Sequence, residues 1–541
     1  MKHRKLSNVL FILFIIANTT IFAQTPPFNI YIEPLNIPNL GGIQSYAYGQ
    51  HNGKWLIVGG RLDGLHQRQP FASFLASGNN NQIIVVDPVA MQKWSVPNSS
   101  LPVAIREQLS STNMEFHQEG NFLYCVGGYG YSATAGDHIT YPNLVAIDVP
   151  AVINAVVNGT GFTSFFRQIT DPLFAVSGGH LSKINSTYYL VGGQNFIGRY
   201  NPMGPTHGPG FFQEYTNAIR KFDISDNGTT ININHHAAIV DTVNLHRRDY
   251  NVTDQILPDG SEGITAFSGV FQYGIDLPYL NCVNIDSTSY VVNNAFSQYY
   301  NHYHCAVVPI YAEAKNEMHT LFFGGIAQYY DSLGILVQDN NVPFVKTIAR
   351  VTRDGSGLMS EYKLPIEMPS FLGASSEFIP IESNPRYANG VFKQDSLLAD
   401  TTLLGYIYGG ISSNDPNIFF INTGAQSSAT SQIFKVYHIK NSTQGIHDLN
   451  EQSVGTLKMT VYPNPNDGNF TIKYQLVKNS DVKIKLVDLK GSIFEEKTLH
   501  NQEIGEHLFE KELEELKFGG VYFLTIETSY ESATQKLILT P

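Results

Sequence analysis

The chain has 541 residues, of which 15% are charged and 12% aromatic, and a formal net charge of −12. This length predicts at least two domains, and the few charges and many aromatic residues favour an all-β fold of half-buried strands over long solvated helices. The acidic excess, spread along the chain, excludes nucleic acid and an anionic bilayer as partners, and three cysteines exclude a disulfide framework or a zinc knuckle.

The N-terminus has the composition of a secretory signal peptide. A basic start with Lys2 and Arg4, an apolar stretch over residues 9–17 and the small residue Ala23 are typical of such a segment. We therefore expect residues 1–23 to be removed on export. No later run of about 18 apolar residues follows, so no transmembrane segment is expected once the signal is removed.

The most regular feature of the chain is an apolar run that ends in two glycines. Recurrence at intervals of roughly 55 to 85 residues indicates internal repeats. A weaker sixth copy has a single glycine, Gly269. The five complete pairs are Gly59 and Gly60, Gly127 and Gly128, Gly192 and Gly193, Gly324 and Gly325, and Gly409 and Gly410.

Each glycine pair sits inside a larger repeated unit. A short segment precedes the apolar run, and a second run ending at an acidic residue follows it, as in "NQIIVVDP" at Asp87, with an outer strand such as "QKWSVP" after that. The unit is predicted to be three or four antiparallel strands, which stack radially into a β-propeller because one unit cannot bury both of its faces. The glycines are expected to adopt positive φ where the chain leaves the strand. They are not a phosphate loop, since no G-x-G-x-x-G opens a helix after a strand.

The repeats resemble a known family. A His-containing strand, an apolar strand ending in Gly-Gly, and a run ending in Asp followed by an aromatic ("VVDPVAMQKW") resemble kelch repeats over residues 28–445. The resemblance implies a six-bladed kelch-type β-propeller, although the fourth copy has one glycine where the family has two. Residues 28–37 have nothing to pair with in the first repeat, so we predict that they complete the last blade and remove two exposed sheet edges.

A different pattern begins after a predicted linker, residues 446–457. Short alternating strands separated by turns predict a small β-sandwich over residues 458–541. The turn "VDLKG", the strand "GGVYFLTI" and an opening motif closely resemble the type A C-terminal sorting domain of the type IX secretion system. The resemblance implies a partnership with the type IX machinery and a protein that is secreted or held on the outer cell surface. The opening motif consists of Tyr462, Pro463, Asn464, Pro465 and Gly468.

Polar residues at one face of the predicted propeller are the candidate ligand-binding residues. The start of each first strand and the end of each second strand lie on the same face, so their side chains form a rim, and His, Arg and Tyr suit a polar ligand such as a sugar. A single histidine there can equally tie neighbouring blades together, and a rim salt bridge would explain the adjacent Arg247 and Arg248. The candidates are Arg61, His66, His117, His180, Arg247, Arg248, Asp249, Tyr250 and His304.

We predict a secreted or cell-surface binding protein whose rim engages an extracellular glycan or protein, without a cofactor or metal. The alternative is a carbohydrate-active enzyme that uses the same rim. An enzyme needs titratable groups within hydrogen-bond reach of one another in a pocket, whereas a binding face needs shape and exposed aromatic side chains. No G-x-S-x-G signature of a nucleophile occurs on a strand-to-helix turn.

Two kinds of enzyme are considered. Some kelch proteins resemble galactose oxidase, and its copper ligands would come from "YNHYHCAV", but alternation along a strand is expected to put His302 and His304 on one face and Tyr303 and Cys305 on the other. A mutarotase-like enzyme would hold a sugar carboxylate with Arg247 or Arg248 and use His304 for proton transfer. Whether Cys282 and Cys305 pair is left open.

Overall fold

The structure is a computed structural model that describes residues 26–332, 335–440, 457–476, 478–488, 493–513, 520–528 and 532–539. The chain divides into two compact units, residues 1–441 and 442–541, and each is described by itself. The predicted signal peptide lies outside the described residues, as does all of the predicted linker except its last residue.

The N-terminal unit is all-β, and a group of four antiparallel strands recurs six times along it, in three cases extended by further strands. The first five sheets take their strands from consecutive parts of the chain. Their bounds are Ala47–His51, Lys54–Val58, Gln82–Asp87 and Gln92–Pro97; Thr112–Glu119, Phe122–Ser132, Asn143–Asp148 and Phe166–Thr170; His180–Ile184, Thr187–Val191, Ala218–Asp226 and Ile231–His235; Asn251–Ile256, Glu262–Phe267, Cys282–Ile285 and Tyr290–Asn293; and Ala306–Ala312, Glu317–Phe323, Thr347–Arg353 and Met359–Glu367.

The sixth sheet combines the two ends of the unit. Three of its strands, Glu377–Pro380, Thr401–Tyr408 and Ile433–Lys440, follow the fifth sheet, and its fourth is the N-terminal strand Phe28–Leu35. The last two run antiparallel over eight paired residues, with Phe28 opposite Lys440. The predicted pairing of the N-terminal strand with the last repeat is confirmed.

Shorter elements connect the main strands. The α-helix Val103–Gln108 follows the outer strand of the first sheet, and the α-helix Val149–Asn158 follows the third strand of the second sheet. The Asp148 carboxylate caps the second helix by accepting a hydrogen bond from the Ala151 N–H at 3.1 Å. The remaining strands are Asp137–Thr140, Gln194–Ile197, Phe212–Tyr215, Ile239–Val240, Tyr329–Ser332, Ile335–Gln338, Phe371–Ala374, Phe392–Lys393, Ile411–Ser413 and Ser427–Ala429. Single 3-10 turns occur at Pro70–Ala72, Ala76–Gly78, Asn98–Ser100, Thr163–Phe165, Pro172–Phe174, Glu313–Lys315 and Gln394–Ser396.

Six residues, one from each sheet, form a cycle of backbone hydrogen bonds. Each of them lies just before its sheet or near the start of the sheet's first strand. The N–H of each of these residues donates to the carbonyl of its counterpart in the neighbouring sheet, over 2.7 to 3.3 Å. The sixth bond, from Ser45 to Ser375 at 3.0 Å, joins the first sheet to the last, so the cycle closes. We call these residues the central ring: Ser45, Asn113, Gly178, Asp249, His304 and Ser375.

The glycine pairs have the backbone conformation that the sequence predicts. Both glycines of all five pairs have positive φ. In the weaker fourth copy Ser268 takes the place of the first glycine, with φ 52°. Space is also restricted: a Cβ on Gly324 would lie 2.2 Å from the carbonyl oxygen of Leu372 in the short strand Phe371–Ala374. The glycines therefore allow neighbouring sheets to approach each other where the second strand ends.

The C-terminal unit contains two sheets of strands with one shared core. The strands are Lys458–Tyr462, Asn469–Leu476 and Gly505–Glu512 in one sheet and Ser480–Asp488, Ile493–Gln502, Gly520–Glu527 and Ser532–Leu539 in the other. Phe470 and Ile472 of the first sheet belong to the same buried cluster as Ile484 and Leu524 of the second. This is the predicted β-sandwich.

Candidate functional site

A cavity of about 490 Å³ lies in the N-terminal unit, and all six residues of the central ring line it. We call it the central cavity. The ring brings residues from all six sheets to one place, although they are far apart in sequence. The cavity is therefore built by the repeats together and not by any single one.

Arg248 and Asp249 form an ion pair in the central cavity. The Arg248 Nε–H donates to the Tyr215 hydroxyl at 2.9 Å, and Asp249 also accepts from the Asn113 side-chain amide at 3.3 Å. Burial opposes the charge on Arg248, but Tyr215 and Asp249 raise its pKa above the usual range. The second terminal nitrogen of Arg248 has no hydrogen-bond partner among the described residues, so it can bind an additional acceptor.

His304 and Glu377 form a second polar pair in the cavity. The His304 Nε2 lies 3.2 Å from a Glu377 carboxylate oxygen, and their side chains are 28% and 14% exposed. Burial lowers the pKa of His304, but the carboxylates of Glu377 and Asp249 more than offset this and raise it. The pair therefore places a protonatable imidazole and a carboxylate within hydrogen-bond reach of each other in a pocket.

Two further titratable side chains lining the cavity are held uncharged. Burial raises the pKa of Glu115 to about 8, against the opposing effect of the Gly179 N–H, which donates to its carboxyl at 2.8 Å. The other carboxyl oxygen of Glu115 has no hydrogen-bond partner among the described residues. Burial lowers the pKa of His180 to about 3. At neutral pH the cavity therefore contains a neutral carboxylic acid and a neutral imidazole as well as the Arg248–Asp249 ion pair and the His304–Glu377 pair.

Aromatic side chains supply much of the remaining wall. The His66 ring meets the Tyr200 ring edge to face with centroids 4.8 Å apart, and burial lowers the pKa of His66 to about 4. The Arg248 guanidinium lies over the Phe271 ring at 5.3 Å. Such faces stack on the apolar side of a sugar ring. The aromatic lining residues are Tyr46, Phe74, Phe116, Tyr129, Phe196, Tyr200, Tyr250, Phe271, Tyr303, Phe419 and Phe420.

Seven of the nine candidate residues line the central cavity, and two do not. Arg61 lines it, but its guanidinium donates hydrogen bonds to the side chains of Asp63 and Asn79. Tyr250 lines it and donates its hydroxyl to the Val191 carbonyl at 2.9 Å. The seven are Arg61, His66, His180, Arg248, Asp249, Tyr250 and His304.

The two candidates outside the cavity lining make structural contacts. Arg247 is 1% exposed and donates to the backbone carbonyls of Asn244, Ser268 and Asn281, with its guanidinium 4.0 Å from the centre of the Tyr279 ring. His117 lies against the Tyr188 ring, with centroids 5.6 Å apart. The hypothesis that both adjacent arginines meet a ligand is therefore corrected: Arg247 has its donors committed, and Arg248 faces the cavity.

The three candidate histidines of the first strands occupy different positions in their sheets. His304 belongs to the central ring and precedes its strand, His180 is the first residue of its strand, and His117 lies inside Thr112–Glu119. The first hairpins of the second and third sheets have turns of the same length, so His117 lies further along its strand than His180 does. In the fifth sheet a 3-10 turn lengthens the hairpin between the first two strands.

Strand alternation does not apply to residues 301–305, contrary to expectation. Their strand begins only at Ala306, and Asn301 has φ 55°. Tyr303 and His304 line the cavity, whereas His302 and Cys305 are absent from its lining. Cys125, Cys282 and Cys305 are all free thiols, which answers the question of their pairing.

Sequence reasoning missed Glu377, Glu115 and Asn113. Glu115 and Glu377 each lie two residues after a ring residue and so follow a positional rule, but no residue type marks the ring, which contains two serines, an asparagine, a glycine, an aspartate and a histidine. In the part of the chain that the structure describes, no group of three or more His, Cys, Asp and Glu side chains is arranged to hold a metal ion.

Comparisons with known proteins match the C-terminal unit to a known family and show no family for the N-terminal unit. Residues 460–540 match the family described as a secretion system C-terminal sorting domain. No curated protein matches the chain. The solved structures include one titled "Structure of YjhT" (TM-score 0.40, 11% identity, 75% of this chain and 99% of that one) and a novel fungal alcohol oxidase of the AA5 family in complex with copper (TM-score 0.37, 8% identity, 95% and 100%). Likeness at this level says nothing about the chemistry of the cavity.

The sorting domain determines where the protein goes. The protein is exported by the type IX secretion system and is secreted or displayed on the cell surface. The predicted opening motif is a turn fastened to the last strand: Asn464 accepts from the Ile538 N–H at 2.8 Å, and Gly468 has φ 105°. Among the described residues no helix is long and apolar enough to cross a membrane.

Proposed function

We propose that the N-terminal unit is a closed six-bladed propeller of kelch type that binds an extracellular glycan in its central cavity. A signal peptide over residues 1–23 would first take the chain across the inner membrane. Closure is supported by the backbone cycle of the central ring and by the strand Phe28–Leu35 in the sixth sheet. Both features join the first and last repeats.

The observation that carries the glycan assignment is the pairing of Arg248 with Asp249 beside aromatic walls in a concave site. A volume of about 490 Å³ suits a small polar ligand or the end of a longer chain, and not the flat contact that a folded protein partner makes. Guanidinium and carboxylate groups bind hydroxyls in the ring plane, and aromatic faces cover the apolar side of the ring. A glycan is therefore favoured over a protein as the ligand.

Replacing Arg248 is expected to weaken glycan binding. Arg248→Met keeps most of the side-chain volume but removes the charged donors, which typically contribute about 1.5 to 3 kcal/mol, so affinity should fall roughly 10- to 100-fold. A glycan array on the purified protein identifies the ligand, and calorimetric titration compares the variant with wild type.

Arg106→Met is a matched control for this substitution. Arg106 donates to the Ser99 carbonyl and does not line the central cavity. Its substitution should leave affinity unchanged. Equal affinity of the Arg248 variant and wild type would assign the glycan to another surface, and the absence of any glycan ligand would contradict the proposal.

The second candidate function is a carbohydrate-active enzyme at the same site. His304 and Glu377 at 3.2 Å meet the requirement for titratable groups within reach of each other in a pocket. The imidazole can move a proton at a sugar oxygen while the carboxylate orients it, a mutarotase-like reaction. A copper oxidase fits less well. Both ring nitrogens of His302 are already hydrogen-bonded, one to the Gln298 carbonyl and the other to the Gln328 N–H, and burial raises the pKa of the Cys305 thiol to about 12, which disfavours the thiolate.

Turnover separates the two candidates. If the site is an enzyme, His304→Gln should bind the reducing sugar found on the array within about threefold of wild type, but should slow its anomeric exchange by about 100-fold or more. Exchange is measured by magnetization-transfer NMR, with His117→Gln as the control histidine outside the cavity lining. Wild-type protein that leaves the exchange rate at its uncatalysed value would refute this reaction and leave the binding protein.

A further inference from the structure

A second cavity, of about 280 Å³, lies in the N-terminal unit between the N-terminal strand and the fifth sheet. We call it the N-terminal cavity. Its residues are absent from the lining of the central cavity, so the two are separate. It is lined by residues 26–30, Lys315, Glu317, His319, Arg350, Thr352 and residues 362–366.

Arg350 is a buried guanidinium without a carboxylate partner. It is 5% exposed, and no acidic oxygen of the described residues lies within ion-pair distance of it. The Arg350 guanidinium contacts the aromatic rings of Phe28 and Tyr362, whose centres lie 5.7 and 4.9 Å from the guanidinium carbon. One terminal nitrogen is buried with no hydrogen-bond partner in the described part of the chain. A buried cation is costly unless an anion or strong acceptors compensate it.

A short hydrogen-bond chain links Arg350 to the neighbouring histidine, His319. The Arg350 Nε–H donates to the Thr352 hydroxyl oxygen at 3.1 Å, and that hydroxyl lies 3.0 Å from His319 Nδ1. We assign Nδ1 as the acceptor of the hydroxyl hydrogen, which places the ring proton on Nε2. Burial lowers the pKa of His319 to about 3, so the ring is neutral.

The N-terminal cavity therefore has two buried donors that lack acceptors. His319 is fully buried and its Nε2 makes no hydrogen bond within the described residues, the nearest acidic oxygen being that of Glu317 at 3.7 Å. Lys315 adds an exposed ammonium at the opening. Lys363, also in the lining, is neutralised by Asp331 at 3.0 Å and by Glu367 at 2.9 Å. The cavity lining thus contains three cationic side chains, Lys315, Arg350 and Lys363, and one acidic side chain, Glu317.

We propose that the N-terminal cavity binds a tetrahedral oxyanion, as free phosphate or sulfate or as such a group on a small molecule. Arg350, His319 and Lys315 would donate to it from three different chain segments, a geometry that suits an anion with more than two oxygens. Phe28 of the N-terminal strand forms one wall, so the bound anion also stabilises the packing of this strand on the fifth sheet.

Titration of the full exported chain with inorganic phosphate, sulfate and acetate tests the proposal. We expect one saturable site for phosphate or sulfate, at least tenfold weaker binding of acetate, and a thermal unfolding temperature that rises with phosphate or sulfate concentration. Arg350→Met should weaken binding at least tenfold. Arg220→Met is the matched control, since Arg220 is partly buried, donates to the Leu173 carbonyl and lines neither cavity.

A second variant keeps the test decisive if Arg350→Met fails to fold. Lys315→Met changes an exposed side chain and should weaken phosphate binding several-fold while leaving the unfolding temperature without anion unchanged. The proposal is overturned if the wild type shows no saturable binding of phosphate or sulfate. It is overturned equally if acetate binds as tightly as they do, or if neither variant at Arg350 or Lys315 alters the affinity.

Discussion

Gly127→Ala is expected to destabilise the N-terminal unit by more than about 3 kcal/mol, the range of large core defects. Gly127 has φ 66°, and an added Cβ would lie 1.9 Å from the Val176 carbonyl oxygen. That carbonyl accepts from the Gly128 N–H at 2.9 Å, where the second sheet meets the segment that leads into the third. The methyl group cannot be accommodated unless this backbone moves, because the contact is with main chain and not with a flexible side chain.

Gly120→Ala separates the cost of the contact from the cost of the backbone angle. Gly120 lies in the same sheet, in the turn before Phe122–Ser132, with φ 56° and no atom within 4 Å of an added Cβ. It should lose only about 1 kcal/mol, the usual cost of a non-glycine residue at positive φ. Urea denaturation of both variants gives the two values. Similar losses would mean that the glycine pairs are required for their backbone angle alone, and that close approach of the sheets plays no part.

Burial of Glu115 is expected to lower the stability of wild type between about pH 4.5 and pH 8, and Glu115→Gln should remove this contribution. Burial also raises the pKa values of Asp254 and Glu361 to about 8, so the rest of the pH dependence should remain. In the unfolded chain the Glu115 carboxyl ionises near 4.5, whereas burial raises its pKa in the folded protein to about 8. Over this window the unfolded state gives up its proton and the folded state keeps it, so rising pH favours unfolding. The shift corresponds to a loss on the order of 4 kcal/mol by pH 8.

The glutamine variant keeps the acceptor for the Gly179 N–H and carries no charge. It should therefore match wild type near pH 4 and exceed its free energy of unfolding at pH 8, measured by urea denaturation at each pH. Glu119→Gln, in the same strand, is the control with the opposite sign. The pKa of Glu119 is lowered to about 2, first by His117 and also by Lys183, so this variant loses a small stabilisation above pH 5. A constant offset between Glu115→Gln and wild type across the range would refute the burial argument.

The repeats could be predicted because local chemistry determines them. A β-branched and aromatic run that stops at two glycines specifies a strand and a positive-φ exit, whatever surrounds it. The outer position of Phe28–Leu35 followed from an unpaired strand at each end. The fourth copy, with Ser268 at φ 52°, shows that a serine can take the conformation when the rest of the sheet demands it.

The cavity could be predicted only in part because its residues lie just before or near the start of the strands and carry no common chemistry. His117 and His180 lie at different positions along strands of equivalent hairpins, and a longer hairpin separates His304 from its glycines, so the three histidines have different environments. Arg247 and Arg248 are adjacent in sequence, yet the bridge between Arg248 and Val270 turns one guanidinium to the cavity and the other into the protein. Such directions depend on tertiary packing.

The pairing of Phe28 with Lys440 means that the N-terminal unit starts and stops at the same sheet edge. The strands Phe28–Leu35 and Ile433–Lys440, far apart in sequence, are therefore direct neighbours. A short peptide joining residue 440 to residue 28, with a new opening at the exposed hairpin of Asn52 and Gly53, would be a circular permutant that retains every strand pair in all six sheets. The sorting domain could then be attached at another sheet, so its position in sequence is not fixed by the architecture of the unit that it exports.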